Sequence, residues 1–395
     1  MKIIFVLIAM IGLQSTVYSQ TEYSNQTLAV KKWFTNNELS ALAEKFVGIS
    51  SKLGKQHGLF PVKSTGVSTQ TIIDAGTDFL KALTPIQKLR TQFSVDDPEW
   101  RKWSNVDNGI YVRQGISFEE MTKEQKKKAW KLLQTSLSAE GVKLSKDIMK
   151  TDQTLRELNN DKLSYGEEKY FITIMGTPSK TEPWGWQLDG HHLVINYFIL
   201  GDQVVVTPMF LGAEPSVTTS GKYIGNSVLQ EEQDKGLLLL QSLNKEQQKL
   251  AIIEREKNRV DIKAEANKDN LVLEYSGIKV KDFNPVQKEK LIELIKLFVN
   301  NIRKEHAQIR MKEVIEHLDN TYFSWIGGTD NHSVFYYRIH SPVLLIEFDH
   351  QRPVGNPNEE SGKPTRQHIH VIVRTPNGND YGKDLLNQHL STHKH

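Results

Sequence analysis

The chain has 395 residues, 38% hydrophobic and 25% charged, enough to bury a sizeable core as one large domain or two packed halves. Its 50 Lys and Arg stand against 47 Asp and Glu, a formal charge of +3, which argues against a nucleic-acid partner. Cysteine is absent, so disulfides, thiolate ligands and a lipoprotein attachment site are excluded, and any metal site must use histidine, carboxylate or carbonyl donors.

The opening "MKIIFVLIAMIGLQSTVYSQ" carries Lys2, an apolar run from Ile3 to Leu13, and small or branched residues Val17 and Ser19 before Gln20. It reads as a signal peptide over residues 1–19, cleaved between Ser19 and Gln20, and predicts a periplasmic or secreted product. No later stretch approaches the roughly 20 apolar residues of a membrane span, so no integral membrane segment is expected after cleavage. Residues 20–70 read as an N-terminal helical and linker segment, with a helix near Leu28 to Leu53 and a turn-rich loop "KSTGVSTQT". Residues 71–395 then read as one α+β domain, helices packed on antiparallel β-sheet, with candidate halves 71–225 and 226–395.

Four segments open alike: "TPIQKL" at Thr84, "TKEQKKKAWKLL" at Thr122, "NKEQQKLAII" at Asn244 and "NPVQKEKLIELI" at Asn284. Each sets Gln three places after a capping residue, the arrangement that satisfies orphan amides at a helix start. The Lys-rich run from Lys123 to Lys131 reads as a solvated helix face. Two hairpins are expected, "HHLVINYFILGDQVVVTPMF" turning near Gly201-Asp202 and "HSVFYYRIHSPVLLIEFDH" turning near Ser341-Pro342. "WGWQLDGH" from Trp184 aligns with "WIGGTDNH" from Trp325, and the capped helices precede both in the same order, which suggests two diverged repeats of a helix pair and a hairpin.

Of the 13 histidines, eight lie between His332 and His395. In "RQHIHVIVR" alternation puts His368, His370, Ile372 and Arg374 on one face of a strand. Imidazoles two residues apart can converge on one cation, although a hydrogen-bonded polar sheet face has the same pattern. "DGHH" offers His191 or His192 as a third nitrogen donor, unless the segment is only a capped turn. "IEFDHQ" offers Glu347 as an oxygen donor, with Asp349 or His350 as general acid/base, unless the acids are an exposed edge-strand pair. Such donors suit zinc best, with iron or copper as alternatives, over magnesium or calcium. Arg374 could bind an anionic substrate or pair with Glu347. Trp184 and Trp186 could form a stacking wall for a ring or sugar, though such residues are more often core.

Phosphate-binding glycine loops, dinucleotide fingerprints, the Gly-x-Ser-x-Gly elbow and the His-Glu-x-x-His helix are absent. The stretches "PWGWQLDGHHLVINY", "VVVTPMFLGAEP", "YYRIHSPVLLIEFDHQ" and "QHIHVIVRTPNGNDYGKDLLNQHL" together resemble the bacterial and fungal family of unknown function numbered 3500, from about Asp78 to His389. The resemblance implies that the Gly-His-His, Ile-Glu-Phe-Asp and His-Ile-His segments belong to the family pattern, and it implies no activity. The expectation is therefore an exported metal-dependent enzyme acting on a small-molecule or carbohydrate-like substrate. Hydrolysis through a metal-activated water comes first and iron or copper oxidation second. A non-catalytic ligand-binding protein, or a metal-free enzyme with His370 as base, are the remaining readings.

Overall fold

A computed structural model describes residues 24–392, so the expected leader lies outside the described residues. Among the described residues no helix is long and apolar enough to cross a membrane. A helix α1 (Asn25–Ala43) comes first, shorter than expected and with no buried residue. The chain then runs through α2 (Gln70–Ala82), α3 (Pro85–Thr91), β1 (Gln92–Phe93), β2 (Ile116–Ser117), α4 (Lys123–Ser136) and α5 (Ala139–Asn159). Strands β3 (Phe171–Met175), β4 (Trp184–Gly190), β5 (Leu193–Leu200), β6 (Gln203–Val205) and β7 (Met209–Ala213) follow.

The same succession then recurs. Helices α6 (Gln230–Ser242) and α7 (Lys245–Ala251) lead to β8 (Ile252–Glu254), and β9 (Ile278–Lys279) leads to α8 (Pro285–Val299) and α9 (Lys304–Glu316). Four strands come next, β10 (Tyr322–Gly327), β11 (Phe335–His340), β12 (Leu345–His350) and β13 (Ile369–Arg374), before α10 (Lys383–Thr392) closes the described chain. The fold is α+β.

Among the described residues all thirteen strands join one sheet, ordered β1-β3-β4-β5-β7-β13-β12-β11-β10-β8 along its path. The order is the same walking inward from either edge. The outermost pairs, β1 with β3 and β8 with β10, are parallel, and every other pair is antiparallel, including the central β7–β13 seam where the two runs meet.

The capping residues explain why the helices begin where they do. Thr84, Thr122, Asn244 and Asn284 each accept the amide of the Gln three residues on, whose side chain returns to the cap's own N–H. The glutamines also couple helices: Gln125 Nε2 donates to Gln87 Oε1 at 2.8 Å, and Gln287 Nε2 to Gln247 Oε1 at 2.9 Å. Both halves therefore tie their two capped helices together by the same amide contact. The residue pairing proposed from sequence needs correction. Trp184 opens β4, whose counterpart is β11, whereas Trp325 lies in β10, one strand earlier.

Register assigns the sheet's two faces. Tyr337, Phe348 and Val371 are successive cross-strand neighbours on one face, where α6 approaches so closely that a Cβ at Gly236 would lie 2.4 Å from the Tyr337 ring. Glu347, Asp349, His370, Ile372 and Arg374 share the other face, covered by the irregular segment 261–269. The His-Ile-His strand is thus buried on both faces rather than solvated on one.

Candidate metal centre

β4 ends at Gly190 and β5 begins at Leu193, and these two residues pair, so His191 and His192 form a two-residue hairpin turn. His192 adopts the left-handed conformation, φ 60°, which a histidine tolerates better than most side chains. The turn is pinned on three sides: Tyr170 Oη donates to the His191 carbonyl, His192 N–H to the Asn105 carbonyl, and Gly212 N–H to the His192 carbonyl. Gly190 is required beneath it, because a Cβ there would lie 2.2 Å from the Tyr170 ring.

β7 and β13 pair His370 with Gly212, and the missing side chain of Gly212 leaves the gap across which His192 reaches His370. His368, just before β13, completes the group. The three Nε2 atoms stand 3.0 Å (His368–His370), 3.2 Å (His368–His192) and 3.3 Å (His370–His192) apart. With metal–nitrogen bonds of about 2.0–2.1 Å, ligand nitrogens are about 3.3 Å apart at a tetrahedral angle and about 2.9 Å apart at a right angle. The observed triangle falls within that span, so the group can hold a metal ion.

Protonation supports the same conclusion. The Arg352 carbonyl, which can only accept, lies 2.6 Å from His368 Nδ1, so that nitrogen carries the proton and Nε2 presents a lone pair. Glu265 Oε1 lies 2.7 Å from His370 Nδ1 and orients that ring in the same way. Burial, reinforced by the neighbouring imidazoles, holds His192 well below its ordinary pKa; burial likewise brings His368 down to about 4 and His370 to about 3. All three are therefore neutral at pH 7, the form that binds metals. His192 and His368 are each 3% exposed and His370 9%, so the triad is buried.

Other residues singled out from sequence go elsewhere. His191 Nδ1 bonds Asp152 Oδ1 at 2.6 Å, and its ring stacks on His192 with centroids 3.9 Å apart, behind the triad rather than in it. Glu347 is one pair further along the sheet, opposite Ile372, and its oxygens accept from Tyr336 Oη and the amides of Lys263 and Ala264. Asp349 is the cross-strand neighbour of His370, but its carboxylate turns to Lys257 Nζ at 3.1 Å and to the amides of Asp261 and Ile262. His350 faces the opposite side of the sheet, accepting from the Phe335 amide and bonding Gln233. Arg374 binds neither an exposed anion site nor Glu347; it is fully buried against Asp269 and Asp380. Trp184 and Trp186 are fully buried, Trp186 stacked on Tyr197, and present no surface to a ligand.

Sequence reasoning missed Glu265 and Asp152. Asp152 lies mid-helix in α5, and Glu265 lies in a stretch without periodicity, so neither carries a local signal. The fold and the cluster define an α+β protein with a buried three-histidine group capable of holding a metal. A family model described as a protein of unknown function, DUF3500, matches residues 65–383, and the chain belongs to that family. No curated protein and no solved structure matches.

Proposed function

We propose that the protein is an exported metal-dependent enzyme whose ion is held by His192, His368 and His370. The observation that carries the reading is the approach of the Nε2 atoms of three neutral imidazoles to 3.0–3.3 Å of one another. Zinc is the favoured ion, since three neutral imidazoles with an open fourth position are a known catalytic zinc arrangement. Bound there, zinc supplies Lewis acidity and a water that ionises near pH 7, which makes hydrolysis the leading reaction. The protein's own part is orientation: the Arg352 carbonyl and Glu265 hold two rings by Nδ1, and the hairpin turn holds the third. The burial of the triad favours a small-molecule substrate over a polymer. Export rests on the leader-like first 19 residues.

A second reading, an iron or copper oxidoreductase, draws on the 3.0 Å His368–His370 separation, which is nearer the right-angle value of a six-coordinate ion.

Elemental analysis of untagged protein, reconstituted with zinc, iron(II) or copper(II) and desalted, tests the proposal. One retained ion per chain is expected, lost in His370→Ala with helix content unchanged by circular dichroism. No stoichiometric metal after any reconstitution would sink it. Zinc-dependent hydrolysis of p-nitrophenyl acetate then favours the first reading, and oxygen consumption by the iron or copper form favours the second.

A further inference from the structure

The triad occupies one end of the β7–β13 seam, where His370 pairs with Gly212; the other end, where Val373 pairs with Met209, borders a cavity. Val373 is three residues from His370 and so points to the opposite sheet face, the one bearing the helices. The cavity holds about 830 Å³, its solvent-open mouth included. Most of that space is the open mouth; the enclosed part is small and suits no more than a single ring or short chain. Its walls are mixed: Val206, Met209, Phe298, Val299, Leu344 and Val373 supply the apolar part, beside a substantial polar share.

The polar groups in the lining are almost all committed. Arg310 pairs with Glu313 at 2.8 Å and donates to the Val343 carbonyl and to Thr375 Oγ1. Thr375 and Thr207 share a hydrogen bond at 2.8 Å, and Asp202 accepts from Ser64 and from the amides of Thr65 and Gly66. One group is left over. His306 is 2% exposed; its ring meets the Val67 backbone and, through Nδ1 at 3.5 Å, Tyr197 Oη, while its buried Nε2 makes no well-formed hydrogen bond among the described residues. A buried polar nitrogen without a partner is costly, and a ligand atom that meets it recovers that cost.

We propose that this cavity is a second binding site, for a small uncharged apolar molecule bearing a single hydroxyl or carbonyl oxygen that bonds His306 Nε2. An anion is disfavoured because the one cation in the wall, Arg310, is already neutralised by Glu313, and Asp202 lies alongside. Burial keeps the imidazole neutral, with its pKa lowered to about 4, so it adds no charge of its own at pH 7.

Ligand-observed fluorine NMR with 4-fluorophenol, fluorobenzene and 4-fluorobenzoate, on the full chain in EDTA, tests this without involving the metal centre. 4-Fluorophenol is expected to bind one saturable site, about fivefold or more tighter than fluorobenzene, which lacks the oxygen. His306→Leu should abolish that preference. Ile309→Trp at the mouth, or Val299→Trp within, should abolish binding of both. The idea fails if wild type shows no saturable 4-fluorophenol binding, if 4-fluorobenzoate binds more tightly, or if folded Ile309→Trp and Val299→Trp proteins bind as wild type does.

Discussion

Gly212→Ala tests whether the triad is a tuned site or a chance grouping of histidines. A Cβ at position 212 would lie 2.9 Å from the Ile369 carbonyl oxygen, 3.1 Å from Phe210 Cε1 and 3.2 Å from His192 Cδ2. The carbonyl is backbone and nearer than a real Cβ tolerates, so the β7–β13 seam must shift at Ile369, beside His370, and the His192 ring must give by a few tenths of an ångström as well. Relief requires a shift of about 0.3 Å, more than the roughly 0.2 Å by which metal–ligand distances vary. Zinc affinity should fall about 10–100-fold, or about 1.4–2.7 kcal/mol, the range seen when ligand support is disturbed. Competition against a chromophoric chelator at pH 7 measures this, with melting of the metal-free protein as control. A folded Gly212→Ala protein whose zinc affinity stays within twofold of wild type would refute the reasoning.

Glu265→Ala removes the acceptor for His370 Nδ1 and should weaken zinc about tenfold while leaving the metal-free melt nearly unchanged, measurable in the same competition assay. Arg374→Met strips buried Asp380 of its guanidinium partner and should destabilise the fold by about 3–5 kcal/mol in urea titration; a loss below 1 kcal/mol would contradict the role given to that pair. His340 supplies a pH dependence: burial, then the Arg338 charge, lowers its pKa to about 3, below the ordinary value of about 6.5 in the unfolded chain. Its neutral form is favoured by folding, so its stabilisation is complete above pH 6.5 and is lost as pH falls from there toward 3. Between pH 6.5 and 4 the loss should reach about 3 kcal/mol, and His340→Gln should flatten that part of the stability curve. A mutant curve parallel to wild type would refute the assignment.

The parts of this architecture fixed by short-range chemistry are legible in the sequence. The capping boxes at Thr84, Thr122, Asn244 and Asn284 involve residues three apart, and all four form. That His368 and His370 share a side is the reading alternation gives, although the strand itself begins only at Ile369 and His368 lies in the turn before it. What is not legible depends on partners far away in the chain. Glu347 and Asp349 look like free acids on a strand, yet segment 261–264, more than eighty residues earlier, returns to donate its amides to both. The match of Trp184 with Trp325 is one strand out of step, because the first lies in β4 and the second in β10, the counterpart of β3, and the pairing that tells β10 from β11 is a property of the sheet. Which of His191 and His192 faces the cluster is set by one backbone dihedral, and no neighbouring residue announces it.

The three imidazoles come from both sides of the central seam. His192 belongs to the first run of elements and His368 and His370 to the second, and the closest atoms of His192 and His368 are separated by 176 positions in the chain. Neither half alone presents more than two donors, and the N-terminal one presents only one. An ion seated there acts as a rivet through the join, loaded only once both halves have docked, and strongest against the motion that would peel them apart.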